Sequence, residues 1–142
     1  MIWLIPTIVL AIATISDLRT REIPDWLSFA LLSWGVIAKL LGWSHIPWLG
    51  MLVGGGIGLG VGLLLFALGG LGGGDGKLIT SLGFAVGPLG LIVTLFGMAL
   101  AGGVLAIVAK LRGQPDYAYV PAILAGWLVC VSYDWFGARS LL

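Results

Sequence analysis

The sequence predicts an all-α, polytopic membrane protein with about six transmembrane helices, and three observations lead there. Hydrophobic residues make up 60% of the chain against 9% charged, with a mean hydropathy of +1.15, a balance found in membrane proteins and not in soluble ones. Apolar runs near the length of a bilayer crossing alternate with short breaks rich in proline, glycine or charge. Tryptophans sit at run ends, as Trp26 and Trp43 do, matching the aromatic belts of membrane interfaces. At 142 residues the chain reads as one integral-membrane domain, 1–142.

The composition also excludes classes of function. A net charge of +1 without a basic run argues against nucleic acid as a partner. Cys130 is the only cysteine and His45 the only histidine, too few soft ligands for a zinc centre. No metal and no cofactor are expected, and nothing fixes an oligomeric state.

The first span opens at Ile2 without a basic region before it, so it reads as retained and not as a cleaved signal. It runs to Ile15, and a crossing of about 20 residues puts Asp17 in its last turn. Ile23-Pro24-Asp25 is a break and a restart: a residue before proline avoids helical geometry, and an acid suits a first helical turn. The second span covers about Trp26 to Trp43, with Lys39 able to snorkel outward. Beyond Ser44-His45-Ile46-Pro47, the third covers about Trp48 to Leu71. Its overlapping pairs Gly54/Gly58, Gly56/Gly60 and Gly58/Gly62 are the small-residue spacing that lets helices pack closely in lipid.

Gly72-Gly73-Gly74-Asp75-Gly76-Lys77-Leu78 follows. Glycine is a poor helix former, so the stretch reads as irregular backbone: either a solvated loop, or a site where protein or water covers it. A short fourth segment runs from Lys77 to about Val86 and breaks at Gly87-Pro88. A fifth runs from Leu89 to about Ala109, closed by Lys110 and Arg112. The loop Gly113-Gln114-Pro115-Asp116-Tyr117 leads to a sixth, from about Tyr119 to Phe136. With six crossings, Arg19, Arg21, Lys77, Lys110 and Arg112 fall on one side and Lys39 and Arg139 on the other. The positive-inside rule makes the first side cytoplasmic, with both termini outside. Asp17 and Asp75, which the rule does not count, fall on that same side.

Two carboxylates that approach closely cannot both ionise. One then takes a proton from water while the other, protonated, polarises a carbonyl. Peptide hydrolysis needs nothing more, and the glycines leave room for an extended segment beside Asp75. A phosphate-binding Walker loop does not fit, because Leu71 stands at its first glycine and Leu78 at its hydroxyl position. A serine–histidine arrangement would have to use His45, which this topology puts on the opposite side. An ion or small-solute carrier using the same intramembrane acids is the competing reading.

Asp17, then Arg21-Glu22-Ile23-Pro24-Asp25, then Gly72 to Leu78, together with Tyr119-Val120-Pro121-Ala122-Ile123-Leu124-Ala125-Gly126, resemble the type IV prepilin peptidases, membrane aspartic proteases of the Gly-x-Gly-Asp kind. The resemblance implies an active site at the cytoplasmic membrane edge, with Asp17 and Asp75 as the catalytic pair. It implies a multi-pass protein of the bacterial inner membrane that cuts the basic leader from a prepilin or pseudopilin. Lys77 matches the pattern and would tune the site's electrostatics or anchor the interface. Gly72, Gly74, Gly76 and Pro24 would shape the site. Asp25 departs from the family's usual Asn, adding an acid that either acts on the pair or faces water. The chain resembles the short, peptidase-only members found with Flp-type pili, so no methyl transfer from S-adenosylmethionine is expected. Methylation of a mature pilin by the purified protein would contradict that.

Overall fold

A chain with so few polar side chains must satisfy its backbone internally. In the computed structural model the regular structure among the described residues is helical throughout. The structure describes residues 3–20, 22–69, 72–113 and 120–136. Five helices form among them: α1 (Leu4–Thr20), α2 (Asp25–Leu40), α3 (Trp48–Ala67), α4 (Gly73–Leu111) and α5 (Val120–Phe136). Arg21, Leu71, the loop at 114–117, Tyr119 and Arg139 lie outside the described residues.

The expected count of six becomes five because the fourth and fifth segments are one kinked helix of 39 residues. Gly87 alone breaks it, at φ 72° and ψ −179°, a conformation open essentially to glycine. Pro88 resumes the helix at once, since a first helical residue needs no N–H. The bend is sharp. A Cβ added at Gly83 would meet Leu91 Cδ2 at 2.8 Å, although eight residues of straight helix advance about 12 Å.

The first half of α4 packs antiparallel on α3. A side chain at Gly54 would collide with the Gly83 carbonyl, one at Gly58 would lie 2.8 Å from the Ile79 oxygen, and one at Gly62 would lie 2.9 Å from Gly76 Cα. Gly56 and Gly60 face open space, so only one of the two interleaved glycine rows makes the contact. The second half of α4 packs on α5, where Gly97 and Gly126 meet backbone to backbone. α5 returns to α1: Trp127 Nε1–H donates to Thr7 Oγ1 at 2.8 Å, and the Trp3 and Trp127 rings lie 5.6 Å apart.

α3 and α4 are long and apolar enough to cross a membrane, while α1, α2 and α5 have 17, 16 and 17 residues, short of a full crossing of about 20. Exposure is inverted relative to a water-soluble bundle. Leu89, Ile92, Phe96, Leu100, Val104 and Ile107 form an exposed stripe along α4, whereas Asp17, Ser28, Asp75, Ser81 and Thr94 are buried. Apolar surface of that extent suits contact with lipid or with another apolar partner.

Candidate active site at the amino terminus of the fourth helix

Asp17 lies near the end of α1, and the chain is turned back there by two hydroxyls. Ser16 Oγ donates to the Glu22 carbonyl at 2.9 Å, and Thr20 Oγ1 reaches the Ser16 and Glu22 carbonyls at 2.9 and 3.3 Å. Pro24, extended at φ −60° and ψ 132°, caps α2. This return lays Ile23 against Gly74, where an added Cβ would meet Ile23 Cβ at 3.0 Å.

The glycine stretch, expected to be irregular, is helical from Gly73 onward with Asp75 in its first turn. Tertiary contact overrides propensity here: Gly76 is held against Gly62 and Gly74 against Ile23. Asp75 Oδ2 accepts the Gly72 N–H at 3.1 Å, satisfying one of the orphan donors at the helix start. Glycine has no side chain with which to return the cap.

Asp17 and Asp75 line one cleft of about 460 Å³ with Glu22, Ile23, Asp25, Gly72, Gly73 and Gly74. Both aspartates are only 7% exposed. Each carboxylate sits at the amino end of a helix, Asp75 at that of α4 and Asp17 at that of α5, where it accepts the Val120 N–H at 3.2 Å. Asp75 Oδ1 is enclosed without a hydrogen-bond partner among the described residues. A buried carboxylate oxygen left in that state is costly unless something in the cleft answers it.

The other expected site residues divide. Gly72 and Gly74 line the cleft; Gly76, Lys77 and Pro24 do not. Gly76 serves the contact with α3, and Pro24 sets the start of α2. Lys77 Nζ pairs with Asp25 at 2.8 Å, bridging α4 to α2. With both partners more than half exposed, solvent screens the pair. Lys77→Met is therefore expected to cost under about 1 kcal/mol of stability, read as thermal unfolding in detergent. A larger loss would mean the bridge holds the two helices together. Glu22 and Ile23 also line the cleft; the sequence names them within the Arg21 to Asp25 motif but assigns neither a place in the site.

His45 precedes α3 while Asp75 follows it, so about 30 Å of helix separates them. Histidine is thereby removed from the chemistry of the cleft. Among the described residues, four carboxylates line the cleft and no lysine, arginine or histidine does. That lining suits acid–base work by carboxyl groups and the approach of a cationic segment.

No curated protein and no solved structure matches the chain significantly. The profile of the type IV leader peptidase family matches residues 4–107, a stretch that takes in the turn after Asp17, the glycine-rich start of α4 and the kink at Gly87. It spans most of the sequence and every residue lining the cleft. On that match, the chain belongs to the type IV leader peptidase family, and it is a leader-peptidase-like protease built from membrane-type helices.

Proposed function

We propose that the protein is an aspartic endopeptidase of the bacterial inner membrane that removes the basic leader from a type IV prepilin or pseudopilin at the cytoplasmic face. One observation carries this reading: Asp17 and Asp75, from different helices, line one cleft in which a carboxylate oxygen has no partner among the described residues. In the proposed reaction the pair holds one proton. The ionised carboxylate takes a proton from a water molecule, and the protonated one donates to the scissile carbonyl. Water oxygen bonds to the carbonyl carbon, the C–N bond breaks, and a carboxyl group delivers a proton to the leaving amine. Glu22 lies on the acidic wall that a basic leader would approach, together with Asp25, whose carboxylate is paired with Lys77.

A pair that must hold one proton works only between its two macroscopic titrations. Cleavage of a leader peptide by detergent-solubilised protein is thus expected to fall on both the acid and the alkaline side of an optimum. A rate flat across the pH range would remove the pair from the mechanism. The direct test is co-expression with a tagged prepilin. Loss of the leader appears as a size shift, whereas ion flux into proteoliposomes without cleavage would favour the carrier reading.

A further inference from the structure

The described helices fall into two packing groups, and each group holds one aspartate. α3 clamps the first half of α4 through Gly54, Gly58 and Gly62, and α2 joins it through Gly35 against Ala85; this group carries Asp75. α5 packs on the second half of α4 through Gly126 against Gly97, and α1 packs on α5 through Thr7 and Trp127. This second group carries Asp17, whose carboxylate accepts the Val120 N–H at 3.2 Å. α4 belongs to both groups and passes from one to the other at Gly87. At the cleft end the groups are joined by the turn after Asp17; at the far end they are joined through the kink. Packing along the seam gives way at the level of the kink, where Pro6 and Trp127 on one side and Trp34, Ala38 and Val86 on the other line a void of about 10 Å³. Interiors are normally close-packed, so at this level the angle between the groups rests on the backbone of α4.

We infer that Gly87 is a positioning residue, whose backbone angle sets how close Asp75 stands to Asp17. The inference rests on the peptidase reading above. At φ 72° and ψ −179° the position admits glycine and strains any residue that carries a Cβ. The space around it is less strict. An added Cβ would meet Ile46 Cγ2 at 3.1 Å, an atom at the end of a flexible side chain that can shift. Between Gly87 and Asp75 lie about 18 Å of helix. On a lever of that length, a change of about 10° in the kink moves the Asp75 carboxylate by about 3 Å. Misplacing a reacting group by 1 Å can cost about 100-fold in rate. A residue remote from the cleft thus governs the chemistry within it.

The test combines kinetics with a distance in the full-length protein. Nitroxide labels on Leu18→Cys and Leu68→Cys report one group each: Leu18 follows Asp17, Leu68 follows α3, and both side chains are exposed, while Cys130 is buried. Gly87→Ala is expected to move the mean label distance by about 3 Å or more. Without the labels, the same variant should lower kcat for the tagged precursor about 100-fold and leave KM within about threefold, because the carboxylates are displaced and the rest of the cleft is kept. Adding Ile46→Ala, which removes the side chain against position 87, should restore neither. An unchanged distance, a shifted distance with unaltered kcat, or rescue by Ile46→Ala would each overturn the inference. If Gly87→Ala does not fold, Pro88→Ala decides: it keeps Gly87 but removes the ring that fixes the start of the second half. It should broaden the label distances and lower kcat about tenfold, and an unchanged distribution or an unaltered kcat would overturn the inference. Failure of the unsubstituted protein to cut the precursor would instead remove the peptidase reading, while the label distances would still show whether Gly87 sets the spacing.

Discussion

Asp75→Asn is expected to lower leader removal about 10⁴-fold or more while the protein stays folded in the membrane, and Asp17→Asn to do the same. The exchange is isosteric, so the structural duty of each side chain survives. The amide oxygen introduced at position 75 can still accept the Gly72 N–H, and the one at position 17 the Val120 N–H. Those are the two bonds that hold the carboxylates in place. What goes is the capacity to exchange a proton with water. Groups that act as a unit are not additive, so the double variant should be no slower than either single one. The measurement is the size shift of a tagged precursor, with protein level and thermal stability recorded in parallel. Full activity in either single variant would dispose of the dyad.

Gly58→Leu is the second large expectation, and its effect is on the fold. A Cβ at Gly58 would lie 2.8 Å from the Ile79 oxygen and 2.9 Å from Thr80 Cα. Both are backbone atoms of α4 and cannot swing aside. Overpacking of this kind is expected to destabilise by about 3 kcal/mol or more, seen as loss of the folded, monodisperse species on mild heating in detergent. Gly60→Leu, two residues on and facing open space, is expected to be neutral or to gain up to about 1 kcal/mol of helix propensity. Equal stability of the two variants would rule out the α3–α4 contact described above. Activity should follow stability, because the same glycine row continues to Gly62 and Gly76 and so fixes where Asp75 stands.

The catalytic candidates are legible because the chain is so poor in charge. An aspartate at a span end and another among glycines stand out against apolar sequence, and their motif context pairs them. The contact row Gly54, Gly58 and Gly62 is legible from spacing. That Gly56 and Gly60 are idle is not, since spacing alone does not say which face of α3 meets a partner. The start of α4 escapes the sequence for a related reason: propensity disfavours helix at Gly73 and Gly74, and the contacts that reverse it come from α3 and from Ile23. At Gly87-Pro88 the break is foreseen, but a single residue accomplishes it and the helix runs on.

The bond from the Val120 N–H to Asp17 links α1 to α5. While the chain is being synthesised, both aspartates leave the ribosome well before residue 120 does. A nascent protein at that stage carries the two acids without the peptide group that orients one of them. On the proposed mechanism, cleavage therefore requires α5 to be in place, since its Val120 N–H is what holds the Asp17 carboxylate.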